Sequence, residues 1–287
     1  MKYNDRAKLD SSQVSKGGNG GKIALGGGAG LVVLVIALLL GVDPGTLGLG
    51  DAGGQAEPST AASPNVGCQS GGDIAKDRDC RFVAYTNSIQ SYWDGAVTGY
   101  QQITVREFTG RVSTACGSAT SAVGPFYCSA DTTVYLDLGF FDQLTGELGA
   151  KGGDAAEAYV LAHEFGHHIQ QLSGTMAKVQ RQGQSTGATS AAVRLELQAD
   201  CYAGVWFANA TKDPDSPIAD VTRADLADAL DAAAAVGDDR IQSKMQGQVT
   251  PESWTHGSAA MRQRWLTTGF TSGNPRSCDT FAAKTLD

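Results

Sequence analysis

The sequence predicts a mainly helical α+β domain with a short sheet, preceded by one transmembrane helix. Three observations carry that expectation. Residues 23–42 are apolar and contain no charged side chain. Residues 154–173 and 191–210 repeat apolar side chains at helical spacing. Residues 129–137, SADTTVYLD, concentrate the β-branched and aromatic types that favour extended backbone.

Residues 1–22 are polar and rich in Gly, Ser and Lys, and are expected to be a disordered cytoplasmic tail. The 20 residues of 23–42 span about 30 Å as a helix, which matches a bilayer's hydrocarbon thickness. Glycines at 26–28 and 30 weaken the first half, so the firm part is 31–40. Lys2, Arg6, Lys8, Lys16 and Lys22 outweigh Asp5 and Asp10 upstream, whereas Asp43, Asp51 and Glu57 follow. That bias keeps the N-terminus inside and carries the remaining chain across as a single-pass protein, with the lipid bilayer as a partner. The long apolar core and the absence of a small-x-small site just after it favour an uncleaved anchor over a signal peptide. Residues 43–66, rich in Gly, Ala, Ser and Pro, read as a flexible linker. The folded domain is expected over 67–287.

Within that domain Phe82, Tyr85, Ile89, Tyr92 and Trp93 predict a helix in 77–108 whose end is not defined. Residues 104–112 give a mixed signal, 129–137 a strand, and 139–148 a brief helix. The helix at 154–173 aligns Leu161, Phe165, Ile169 and Leu172 on one face and ends at Gly174. A loop is expected at 181–190, a largely apolar helix at 191–210, and a surface helix opened by Thr222 and Asp225 as a capping box. A last helix should contain 256–266.

The formal net charge of −8 offers no basic stripe for nucleic acid, so that class of partner is excluded. Cys68 and Cys80 stand twelve residues apart, as do Cys116 and Cys128, which makes local disulfides the simplest pairing. Cys201 and Cys278 either form a third bridge or leave Cys201 as a buried thiol.

The chemistry concentrates in HEFGHH at 163–168. Residues four apart share a helix face, so His163 and His167 can aim both imidazoles at one ion. Glu164 lies about 100° around the helix from His163 and roughly 60° from His167, so it can overhang that ion without ligating it. A metal that activates water and a carboxylate that moves the proton are the parts of a hydrolytic site. HExxH also arises by chance. Here, however, three of the chain's four histidines crowd onto one apolar helix, a costly arrangement without a compensating role. Glu196 and Asp200, four apart on the next long apolar helix, supply a third ligand and a hydrogen-bond acceptor for a ligating imidazole. The reverse assignment, Asp200 as ligand, is the local alternative. His168 faces the Phe165 side and is expected to be a packed or hydrogen-bonded neighbour. His256 is a candidate for oxyanion stabilisation, with Tyr202 and Tyr135 as lesser ones, and an ordinary helix-start histidine is the alternative. Residues 132–136 are expected to border the cleft and pair with an extended peptide.

The stretches VYLDLGFFDQL (134–144), AYVLAHEFGHHIQ (158–170), RLELQADCYAGVW (194–206) and THGSAAMRQRW (255–265) together resemble the bacterial putative neutral zinc metallopeptidase family. More distantly, HExxH with ExxxD is similar to the thermolysin-like glutamate-zincins. The resemblance implies a zincin-like domain with Zn2+ on His163, His167 and Glu196, Glu164 as general base, and Asp200 behind a histidine ligand. It also implies a zinc metalloendopeptidase of the bacterial cell membrane acting on peptide or protein substrates outside it. Two rivals are a catalytically weak zinc-binding envelope interaction domain and a zinc hydrolase of nonpeptide amides or esters.

Overall fold

The computed structural model describes residues 1–17, 63–64, 67–183 and 185–287. Strands β1 (Lys2–Tyr3), β2 (Val14–Lys16) and β3 (Ser63–Pro64) come first, followed by a one-turn helix, Gly71–Ile74, and helix α1 (Arg78–Ala96). Strand β4 (Thr104–Phe108), hairpin β5–β6 (Arg111–Thr114 and Gly117–Thr120), β7 (Phe126–Cys128) and β8 (Thr133–Asp137) complete the first half. Then come α2 (Phe140–Gly146), α3 (Asp154–Leu172), α4 (Thr175–Gln182) and α5 (Ala191–Asn209). The chain closes with β9 (Ile218–Asp220), α6 (Arg223–Ala235), α7 (Asp238–Gln246) and α8 (Ala259–Ser272).

The main sheet runs β3-β2-β4-β8-β7, with β2, β4 and β8 parallel and the two edge strands antiparallel. Its centre is Val105, which faces Val14 on one side and Val134 on the other. All three are fully buried, as strands covered on both faces require. Helix α3 is buried continuously from Ala155 to Gln170 because its small and apolar residues surround the axis rather than forming a stripe. It packs against α1, α5, α6 and β7. Leu161 and Phe165 are wholly buried, each contributing about 1.5–3 kcal/mol of transfer free energy.

Local chemistry sets the helix ends. Ser190 and Ser258 accept N–H bonds from Val193 and Met261 at the starts of α5 and α8. Thr222 and Asp225 form the expected capping box of α6. Gly174 takes φ 74° at the end of α3, where a side chain would be strained. All three disulfides are formed: Cys68–Cys80, Cys116–Cys128 and Cys201–Cys278. The first two staple local loops, and the third ties the C-terminal segment to α5.

The membrane-anchored architecture is corrected. Among the described residues no helix is long and apolar enough to cross a membrane. The segment 23–42 itself lies outside the described residues, as does most of the expected linker. The flank that should be a cytoplasmic tail is instead built into the domain. Tyr3 pairs with Ile218, Val14 pairs with Val105, and the Met1 ammonium meets Asp225 at 2.6 Å. A strand cannot hydrogen-bond to a sheet on the far side of a bilayer. The single-pass topology therefore fails, and the bilayer as a partner and the placement at the cell membrane lose the span on which both expectations rested.

Smaller corrections follow from pairing that local patterns do not reveal. The first helix stops at Ala96, and the mixed region becomes β4 and the β5–β6 hairpin. The strand expected at 129–137 is β8, but it lies inside the sheet, and β7 takes the edge beside α3.

Candidate metal centre

Helices α3 and α5 cross with their backbones nearly touching. A Cβ on Gly166 would stand 2.9 Å from Ala199 Cα. This close approach carries the two imidazoles on α3 to the carboxylates on α5. His163 Nε2 lies 3.2 Å from Glu196 Oε2, and His167 Nε2 lies 3.6 Å from Glu196 Oε1. The three side chains are buried, and their donor atoms all fall within 4.8 Å of one another. Two imidazole nitrogens and one carboxylate oxygen, with one face open to a cleft, suit a tetrahedral zinc with a free fourth position. The donor set thus fits the metal.

Each ring is oriented through its other nitrogen. His163 Nδ1 donates to Asp200 Oδ1 at 2.8 Å, and His167 Nδ1 stands 2.9 Å from Gln170 Oε1. Gln170 is itself held by the Leu195 carbonyl at 2.6 Å. Asp200 is completely buried and accepts from Tyr159 OH at 2.6 Å, Arg262 Nε at 2.8 Å and Arg262 Nη2 at 3.0 Å. Asp200 therefore lies behind His163 and outside the donor cluster, which disfavours the alternative that made it a ligand.

Charges respond to this packing. Burial opposes protonation of His163, but Asp200 and Glu196 on either side outweigh it and carry the ring to about 10. Burial drives His167 down to about 4. Burial alone would raise Glu196, yet the two imidazoles hold it far below the usual carboxylate range. Glu164 is pushed up to about 7 by burial, the neighbouring His163 and a Tyr127 backbone N–H partly countering the rise. A carboxyl poised near neutrality can both take and return a proton.

A cavity of about 900 Å3, open mouth included, runs past these groups and is lined by His163, Glu164, His167, Glu196, His256 and Arg262. Its walls are mostly apolar: Val123 and Pro125 before β7, Phe140 and Leu148 around α2, and Ile241 and Met245 on α7. His256 reaches the cleft from the turn before α8. Asp238 holds that turn by accepting the N–H groups of Thr255, His256 and Gly257 at 2.7–2.9 Å and facing His256 Nδ1 at 3.3 Å. Burial resists protonation of His256, and Asp238 more than restores it.

The structure thus brings His163, Glu164, His167, Glu196 and His256 to one cleft, with Asp200 behind. It separates the others. His168 bonds Tyr127 OH and the Gln101 carbonyl on the opposite side of α3, as expected for a packed neighbour. Tyr202 stacks edge-on against Trp93, and Tyr135 donates to Asp131. Neither lines the cleft. Sequence reasoning missed Arg262, Asp238, Tyr159 and Gln170. A signal existed for Arg262, which is 3% exposed and falls at helical spacing among Met261, Trp265 and Leu266, where a charge is out of place.

Residues 3–281 match the family described as "Putative neutral zinc metallopeptidase", a span that starts at the second residue of β1 and includes β2. An uncharacterized protein of Mycobacterium tuberculosis is 46% identical over 259 residues, covering 87% of this chain and 86% of its own. The uncharacterized protein YpfJ of Escherichia coli is 39% identical over 275 residues, covering 93% and 91%. No solved structure matches the chain.

Proposed function

This chain belongs to the putative neutral zinc metallopeptidase family, and on that premise we propose that it hydrolyses peptide bonds with Glu164 as general base. The observation that carries this reading is the place of Glu164. Its carboxyl lines the cleft beside the donor cluster, with burial holding it near neutrality. A purely structural zinc site has no use for such a group.

His163, His167 and Glu196 would hold the zinc, and Asp200 keeps the His163 ring turned with Nδ1–H toward itself. When bound, zinc supplies Lewis acidity to water and to the scissile carbonyl. Glu164 takes the proton released by water and delivers it to the departing amine. His256, fixed through Nδ1, offers Nε2 to the oxygen that becomes negative as the carbonyl is attacked. The neighbouring edge strand is β7, in place of the expected 132–136. The Tyr127 N–H already turns to Glu164, so the backbone of that residue faces away from β8 and toward the cleft. A peptide can add there as an extended strand.

The test is cleavage of a denatured protein by the purified full chain loaded with zinc, beside Glu164→Gln at equal metal content. Wild-type cleavage with loss in E164Q supports the reading. Equal zinc binding with no cleavage by either protein moves the balance to a zinc-binding interaction domain.

A further inference from the structure

Residues 1–17 cross the domain as a strap, and most of their bonds are to residues far along the chain. β1 pairs with β9 through Lys2↔Asp220 and Tyr3↔Ile218. Tyr3 OH donates to Asp154 Oδ2 at 2.6 Å and lies 2.9 Å from Tyr85 OH, joining the first residue of α3 to α1. The Met1 ammonium meets Asp225, the same carboxylate that caps α6. Gly71 N–H donates to the Ala7 carbonyl at 2.9 Å, and a Cβ on Gly71 would collide with the Asn4 carbonyl. Asp10 and Asn87 exchange two hydrogen bonds, at 2.8 and 3.0 Å. Val14 is fully buried in the main sheet, Lys16 pairs with Asp79, and Gly17 N–H bonds the Glu107 carbonyl at 2.7 Å.

The elements that receive the strap are those that position the metal centre. Asp154 opens the helix carrying His163, Glu164 and His167. Asp225 opens α6, which packs along that helix. Two strands, β4 and β8, separate β2 from β7, whose Tyr127 N–H touches Glu164. On its far side β2 pairs antiparallel with β3, Lys16 opposite Ser63, so residues 17 and 63 meet at one edge of the sheet.

We propose that residues 1–17 are a separable docked segment required for the metal centre, seated on a surface made by α1, β4, β9 and the openings of α3 and α6. The bonds described above run directly between residues 1–17 and the rest of the domain. Breaking the chain between 17 and 63 therefore leaves one particle with an intact donor cluster. The N-terminus also shares the compartment of the metal centre.

The test uses the full chain with a site-specific protease sequence substituted at 48–54. After complete cleavage the two fragments are expected to co-elute at the volume of the uncut protein, with zinc per chain unchanged. Separation of the fragments under native conditions overturns the docking. Gly71→Leu, which drives a side chain into Asn4, is then introduced into the cleavable chain. Cutting this variant is expected to release the short fragment and lower zinc occupancy at least tenfold at a fixed free-zinc level. Release with undiminished zinc shows that the metal centre does not need the strap and overturns that half. Should G71L misfold before cutting, Tyr3→Phe gives the same readout, because it keeps the ring and removes only the bonds to Asp154 and Tyr85. Synthetic peptide 1–17 should displace the Y3F fragment at lower concentration than it displaces the wild-type fragment. Equal displacement removes Tyr3 from the attachment. Co-elution and zinc content do not depend on peptide cleavage, so failure here is distinguishable from failure of the peptidase reading.

Discussion

Arg262→Met tests how the centre is held. The guanidinium is buried to 3% exposure under a carboxylate at 0%, and bonds Asp200 twice, Tyr159 once and the Val236 carbonyl once. Burial would raise the Asp200 carboxyl, but Arg262 and His163 hold it below the ordinary range. A folded-state value below the unfolded one stabilises above about pH 4 and loses that contribution as pH falls toward the lower value. At pH 7 R262M leaves Asp200 charged, buried and short of its strongest partner. Removing one member of a buried pair costs about 3–5 kcal/mol. For a domain of this size that is a fall in melting temperature of about 6–20 °C. The assay is chemical and thermal unfolding of the full chain, with R262M, Asp200→Asn and the double variant compared. The double variant should cost clearly less than the sum of the singles, since it removes both stranded charges. A loss under about 1 kcal/mol for R262M, or strict additivity, refutes the view that the pair acts as a unit.

Glu107 is buried, its Oε1 has no partner among the described residues, and burial with nearby Asp79 raises it to about 8. A raised carboxyl stabilises the fold below the unfolded value of about 4.3, and that contribution is lost as pH rises toward 8. Glu107→Gln should therefore gain on the order of a few kcal/mol over wild type at pH 9 and almost nothing at pH 4, read by melting temperature across pH. An unchanged difference between those pH values counts against the assignment. His256→Ala should lower kcat by about 10²–10³ and leave zinc content and KM nearly unchanged. A loss confined to KM would make His256 a binding residue instead.

What the sequence displays is whatever a single helix displays. His163, Glu164 and His167 are legible because their relation is one helical turn. Glu196 and Asp200 are legible because two carboxylates one turn apart on an apolar helix need a reason. Arg262 shows in the sequence only as a charge out of place on an apolar helix, with no hint of its partner, and Asp238 does not show at all. Arg262 finds Asp200 from 62 residues away, and Asp238 holds the His256 turn from 18 residues upstream. The place of the N-terminus is illegible for a related reason. Residues 1–17 offer only Ala7 and Val14 as buried apolar anchors, and their strands exist because Ile218 and Val105 lie opposite. Strand preference depends on such neighbours more than on the residues themselves. The uncharged run at 23–42 suggests a span and the charges flanking it suggest an orientation, but neither registers a strand partner far along the chain.

A buried Arg–Asp pair contributes little stability compared with well-packed apolar residues, so its presence under His163, a candidate metal ligand, needs a different account. The contact between α5 and α8 supplies one. A Cβ on Gly204 would overlap the Leu266 carbonyl, and one on Gly269 would overlap that of Cys201. These helices therefore meet backbone to backbone, and their register tolerates almost no sliding. Asp200 stands one turn from Gly204, and Arg262 stands one turn from Leu266 and two from Gly269. The glycine contact thus determines where the guanidinium meets the carboxylate, and the carboxylate determines how the His163 ring is turned. Apolar replacements could fill the same volume, but they would give the ring no acceptor for Nδ1–H. The pair is then best understood as orientation obtained at the expense of stability, transmitted from a helix crossing to one nitrogen of the candidate ligand His163.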